Sequence, residues 1–252
     1  MAAMSQYFDR IVREIKAAGL NLPELVIFDC DGVLVDSELL ACRIEAELLQ
    51  QIGLPISTEE IGTRFTGLSY ASMEQQISTD FGIQLPDDFE SSYLDTFSRA
   101  IESDLDPVPG IEGLLDRIPY PVCLASSSPM TRIDRSLAVT GLSDYFSKRI
   151  FSAQMVSRGK PAPDPFLLAA GQCGAAPEHC LVIEDSSYGI EAAVAAGMSC
   201  VGFTAGSHCS RDHKDILAAA GADLLAADSR QLETIFEAFR MQEESELKNK
   251  HT

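Results

Sequence analysis

The sequence has no apolar run approaching the ~20 residues that a membrane-spanning helix requires, so no transmembrane anchor is expected. The stretch MAAMSQYFDRIVREIKAAG at the N-terminus lacks the apolar core of a secretory signal, and Asp9 and Glu14 argue against an organelle transit peptide. Ile11, Val12 and Ile15 recur there at helical spacing, which predicts a short surface helix leading into the domain. Positive charge is scarce: 19 Lys and Arg stand against 38 Asp and Glu, a formal charge of −19. A field of that sign repels nucleic acid and anionic membrane surfaces, so neither is an expected partner. No Cys-x-x-Cys pair occurs. The seven cysteines are odd in number and lie mostly in apolar or alanine-rich segments, which points to free thiols in a reducing cytoplasm. HCSRDH (208–213) lacks a second ligand pair and opens an alanine-rich helical stretch, so no zinc site is expected there.

What is present is an alternation. The runs LVIFD (25–29), VCLAS (122–126), RIFSA (149–153), CLVIED (180–185), SCVGF (199–203) and ADLLA (222–226) read as strands. They are continuously apolar rather than alternating, as suits strands covered on both faces of a parallel sheet. Helical patterns lie between them at 131–139, 165–173, 187–196, 211–220 and 229–240, with Asp164 as an N-cap before Pro165. The expected fold class is α/β, a doubly wound parallel sheet. Residues 37–109 break the rule. They hold four helical patterns (38–52, 57–62, 70–81, 89–103) and no strand, with three arginines, no lysine and 14 acids. This predicts an all-helical insertion at 37–109 in a core built from 1–36 and 110–252. The charged tail from Gln242 is expected to be a frayed helix end.

Four segments carry chemistry. DCDGVLVDSE (29–38) follows the first strand directly, so Asp29 and Asp31 leave the carboxyl end of a strand, where the crevice of an open parallel sheet lies; Gly32 supplies a tight turn. Glu184 and Asp185 end another strand on the same side. With Asp29 they make an oxygen-rich site suited to Mg²⁺, although Asp185 or Ser186 could instead cap the next helix. Lys160 in RGKPAPDPF is held between Gly159 and Pro161, a fixed cation in a chain that is short of them. In LASSSP, Ser126 ends a strand, and its hydroxyl with that of Ser127 suits phosphate oxygens; Ser127 and Ser128 could equally cap the following helix.

These four segments, in this order, resemble the haloacid dehalogenase superfamily. The motifs D-x-D-G-x-L-x-D-S, hydrophobic-S, G-K-P-x-P-D and hydrophobic-E-D-S match its four signatures, and the likeness spans roughly residues 24–240. The resemblance implies Mg²⁺ as cofactor and a phosphatase acting on a small-molecule phosphate ester. It implies Asp29 as nucleophile and metal ligand. Asp31 would be general acid and base, with its backbone carbonyl on the metal. Ser126 and Lys160 would hold the phosphoryl group, and Asp185 with Glu184 would complete the metal site. The insertion matches the family's helical cap, the expected seat of substrate choice.

Within the family, Asp31 argues against a dehalogenase, which needs no proton donor. The absence of a lysine between 37 and 109 excludes a Schiff-base phosphonate hydrolase. A sugar phosphomutase would carry a cap histidine and a basic loop residue where this chain has Ala41 and Tyr70. A non-catalytic binding protein on this fold would have lost Asp29, Asp31 or Asp185. The nearest likeness is to phosphatases of sugar and sugar-acid phosphates. In the cap, Arg43, Arg64, Gly67 and Ser69 are the candidate substrate contacts, with ion pairing to neighbouring acids as the other reading of the arginines. A monomer or small homo-oligomer is expected.

Overall fold

The computed structural model describes residues 2–65 and 70–250. The chain divides into two compact units, Met1–Val35 with Pro107–Thr252, and Asp36–Asp106. Helix α1 (Ala2–Ala18) leads into β1 (Leu25–Phe28). The second unit holds α2 (Ser37–Gln51), α3 (Thr58–Arg64), α4 (Tyr70–Phe81) and α5 (Phe89–Asp104). The first unit resumes with α6 (Ile111–Leu115), β2 (Val122–Ser126), α7 (Met130–Val139), α8 (Ser143–Phe146), β3 (Ile150–Ser152) and α9 (Asp164–Cys173). It ends with β4 (Cys180–Glu184), α10 (Ser187–Ala195), β5 (Ser199–Phe203), α11 (His213–Ala220), β6 (Leu224–Ala226) and α12 (Ser229–Lys250).

The six strands form one parallel sheet in the order β3-β2-β1-β4-β5-β6. Every residue of β1, β2 and β4 is buried, as their unbroken apolar runs require. On one face, Ile27, Cys123 and Val182 pack with Phe166 of α9 and Ile190 of α10. Strand order reverses at β1: the chain builds outward to β3, then crosses back to lay β4 on the other side of β1. That reversal opens a crevice beyond the carboxyl ends of β1 and β4. The helical unit has its own core, in which Leu49, Ile61, Ile77 and Phe89 pack together.

Three local expectations need revision. Helix α9 starts at Asp164 with Pro163 in the capping position and no side-chain cap; Asp164 instead pairs with Arg158 at 2.9 Å. Helix α1 is docked rather than merely superficial: Ile11 and Ile15 are fully buried, and the Tyr7 hydroxyl donates to the Leu225 carbonyl at 2.9 Å. It packs on α12 and β6, covering apolar surface beside the edge strand. Helix α12 continues to Lys250, past the expected end at residue 240. No helix among the described residues is long and apolar enough to cross a membrane.

Phe28, fully buried in the central strand, meets Phe146 edge-on at 6.2 Å between ring centroids. Phe28→Ala is expected to cost about 3–5 kcal/mol, because the close-packed sheet cannot collapse into the void. A fall in the urea midpoint at unchanged slope would show it.

Candidate active site

Asp29 stands where β1 ends. Its amide still donates to the Ile183 carbonyl of β4 at 3.0 Å, so the sheet's own ladder carries the carboxylate. Gly32 follows with φ 76°. A Cβ there would lie 1.8 Å from Asp185 Oδ2 and 2.8 Å from His208 Cε1, so this turn needs glycine for space as well as conformation. At the end of β4, Ser186 caps α10, its Oγ accepting from the Gly189 N–H at 3.0 Å. Asp185 is therefore not the cap.

Lys160 joins these pieces. Its Nζ donates to Asp29 Oδ1 at 2.5 Å, Glu184 Oε1 at 2.6 Å and the Ala125 carbonyl at 3.0 Å, which uses all three ammonium hydrogens. Its side chain is 4% exposed and lies over the Phe166 ring. Glu184 Oε2 accepts from the amide and hydroxyl of Ser186, both at 2.9 Å. Ser126, at the end of β2, is buried; its Oγ accepts from the Ser128 N–H at 3.0 Å and keeps its own proton to donate.

The electrostatics are dominated by crowded acids. Burial pushes the Asp29 carboxyl well above the usual range; Lys160 opposes this, while Glu184, Asp185 and Asp31 add to it. Burial also raises Asp185, with the hydrogen bond from His208 working the other way. Burial would lower Lys160, yet Asp29 and Glu184 more than reverse it and hold the ammonium above its ordinary value. Carboxylate oxygens of Asp29, Glu184 and Asp185 lie within 4.8 Å of one another, all buried. Lys160 answers Asp29 and Glu184, and His208 meets Asp185 at 3.1 Å. Three buried carboxylates drawn this close still make an all-oxygen donor set that fits a hard divalent cation such as Mg²⁺.

Asp31 is held apart from that cluster. Its Oδ2 accepts from the Ser128 hydroxyl at 2.6 Å, and its Oδ1 from the Arg132 guanidinium at 2.9 Å. Of the paired serines, Ser128 is the one turned inward; Ser127 is exposed. Neither caps α7, whose capping residue is Pro129 with no side-chain bond. Sequence reading missed both Ser128 and Arg132 as site residues. A signal was available for the second: Arg132 sits in the first turn of a helix, where the dipole disfavours a cation unless an anion faces it.

The cap arginines answer to their own acids. Arg43 pairs with Asp104 and, at 3.9 Å, with Glu47. Arg64 pairs with Glu60 at 2.8 Å and Asp80 at 2.6 Å, its guanidinium stacked over Phe81. Both are thus engaged within the helical unit rather than held open for a substrate anion. Gly67 and Ser69 lie outside the described residues.

Gly189 offers a test of the Lys160 cradle. A Cβ there would fall 1.8 Å from Glu184 Oε1 and evict the carboxylate that holds Lys160. Gly189→Ala is expected to lower turnover about 10- to 100-fold, the usual cost of losing a partner that orients a functional group. Gly171→Ala, in a helix with open space around it, is the control and should leave turnover unchanged.

Carboxylates, a hydroxyl and a buried lysine at the switch point of a parallel sheet define an α/β enzyme with a polar reaction centre at the carboxyl edge of its strands. Residues 23–197 match the haloacid dehalogenase-like hydrolases, and the chain belongs to that family. It is 31% identical to the 6-phosphogluconate phosphatase of Escherichia coli K12 over 186 residues, covering 73% of this chain and 84% of that one. A haloacid dehalogenase-like protein of unknown function from Agrobacterium tumefaciens superposes with a TM-score of 0.82 at 38% identity, covering 86% of this chain and 99% of the other. A family hydrolase from Deinococcus radiodurans, solved with bound phosphate and sodium, superposes at 0.77 and 30% identity, covering 86% and 96%.

Proposed function

We propose that the protein is a Mg²⁺-dependent phosphatase of small phosphorylated metabolites, sugar or sugar-acid phosphates, working through an aspartyl-phosphate on Asp29. The observation that carries this reading is Lys160 Nζ, buried and bonded to both Asp29 and Glu184 in the carboxylate cluster. Asp29 and Asp185 would hold the metal, with the Asp31 backbone carbonyl; Glu184 belongs to the cluster, and its oxygens also serve Lys160 and Ser186. When bound, Mg²⁺ supplies charge neutralisation and orientation of the phosphoryl oxygens.

The chain's own residues do the rest. An Asp29 oxygen attacks phosphorus in line with the ester oxygen, and the P–O bond to the leaving group breaks. Asp31 gives its proton to the departing alkoxide. The Ser126 hydroxyl holds one phosphoryl oxygen. Lys160 turns its Asp29 bond over to another as Asp29 takes up the phosphoryl group, keeping its bonds to Glu184 and the Ala125 carbonyl. In the second half, Asp31 takes a proton from water as its oxygen attacks the acyl phosphate; phosphate leaves and Asp29 is restored. For the first half, Asp31 must carry a proton, so its Arg132 contact belongs to the resting state. Substrate choice is assigned to the helical unit at 36–106. A sugar-acid phosphate is favoured by the E. coli relative, named a 6-phosphogluconate phosphatase. The reducing cytoplasm is the proposed compartment, in keeping with seven free thiols.

The test is hydrolysis of p-nitrophenyl phosphate after exhaustive chelation and after Mg²⁺ is returned. Chelation is expected to lower the rate at least about a hundredfold, since a metal contributes several kcal/mol to such a transition state, and Mg²⁺ should restore it. Metal-independent turnover would remove the reading. A panel of phosphorylated sugars, sugar acids and phosphoglycolate then ranks substrates by kcat/KM.

A further inference from the structure

The loop between β5 and α11 carries a second donor group of different chemistry. His208, Cys209 and His213 offer nitrogen and sulfur atoms within 4.8 Å of one another, and all three are half-buried. The segment HCSRDH lacks a second ligand pair in sequence, which is why no zinc site was expected there. The fold produces it by bringing the loop back over the catalytic turn, where His208 Cε1 would lie 2.8 Å from a Cβ on Gly32.

The distances suit a tetrahedral soft cation. Zinc bonds of ~2.3 Å to sulfur and ~2.0–2.1 Å to nitrogen separate two ligand atoms by roughly 3.5 Å. His208 Nε2 and Cys209 Sγ lie 3.4 Å apart. Asp185 Oδ2 is 3.1 Å from the same nitrogen, close to the spacing required of an oxygen in a fourth position. His213 Nε2 lies 2.5 Å from the Asp185 carbonyl oxygen. Donating its N–H there leaves the other ring nitrogen to Cys209, with which His213 also bonds, and an imidazole anchored to a backbone carbonyl is the usual support of a metal ligand. His208 Nδ1 is buried with no hydrogen-bond partner, so the ring's only polar contacts are through Nε2, and it stands edge-on to His213 at 5.4 Å between centroids. Cys209 also bonds both imidazoles, so its sulfur is already turned toward the two nitrogens.

We propose that Cys209, His208 and His213 form a second metal site, selective for a soft divalent transition metal of the zinc class, with Asp185 as its neighbouring oxygen. The site shares Asp185 with the hard-cation cluster, so its occupation draws that carboxylate away and inhibits the enzyme. The inhibitory half of the proposal rests on the Mg²⁺-dependent reading above; the binding half does not.

Cobalt(II) titration separates the two halves, because a thiolate–cobalt bond has its own charge-transfer absorption. The wild-type protein and the Asp29→Asn variant are both expected to develop this band at one equivalent, so binding is read without turnover. Cys209→Ser should abolish the band, and His213→Ala should weaken zinc affinity at least about tenfold. Circular dichroism identifies any variant that has failed to fold, and zinc displacement of cobalt from wild-type protein provides the same measurement without mutation. No band in wild-type protein, or an undiminished one in Cys209→Ser, overturns the site. In Mg²⁺ assays, zinc should lower turnover of the wild-type enzyme, excess Mg²⁺ should relieve it, and Cys209→Ser should need at least about tenfold more zinc. Equal sensitivity of that variant overturns the inhibitory role.

Discussion

Asp29→Asn is expected to reduce kcat for phosphoester hydrolysis by about 10⁴–10⁶-fold, the scale seen when a covalent nucleophile is removed. An amide has neither the charge nor the nucleophilicity to capture a phosphoryl group. The fold should survive. Desolvation, with repulsion from Glu184, Asp185 and Asp31, pushes the Asp29 carboxyl upward against the pull of Lys160, and removing its charge relieves both. Lys160 keeps its bond to Glu184 and to the Ala125 carbonyl, so it is not left as an unpaired buried cation. The measurement is turnover together with intact mass after acid quench. Wild-type protein should carry one added phosphoryl group during turnover, and the variant none. Retention of more than about a hundredth of wild-type activity would sink Asp29 as the attacking group.

Asp31→Asn is the second large effect, an expected loss of about 10²–10⁴-fold, the usual contribution of a positioned general acid. The substitution is nearly isosteric, and the amide oxygen still accepts from either Ser128 or Arg132, so the side chain has reason to stay in place. What disappears is the transferable proton. The loss should therefore depend on the leaving group: severe for a sugar phosphate, whose alkoxide must be protonated, and milder for p-nitrophenyl phosphate, whose phenolate departs unaided. Equal losses on the two substrates would contradict the general-acid role.

Much of this molecule was legible without coordinates. Six largely apolar runs located β1 to β6, because strands covered on both faces of a sheet have no need of alternation. The helical unit was legible from its missing strands. The motif residues Asp29, Ser126, Lys160, Glu184 and Asp185 could be read because each follows or ends a strand or sits on a stiff loop. The partners of Asp31 were not legible in that way. Ser128 and Ser127 are adjacent and chemically alike, and only the turn before Pro129 decides which one faces inward. Arg132 is one of 19 bases until the fold sets its guanidinium 2.9 Å from a carboxylate 101 residues away.

The sequence alone determined which side chains could do acid, base and metal chemistry, and that several stand at strand ends, since identity and local period are one-dimensional properties. Strand order was decided only in three dimensions. Because β4 returns to pair with β1, Asp29 and Asp185 meet at one crevice, and the loop after β5 folds back until His208 touches Asp185. Convergence of groups far apart in the chain depends on packing a whole sheet, and no local pattern encodes it.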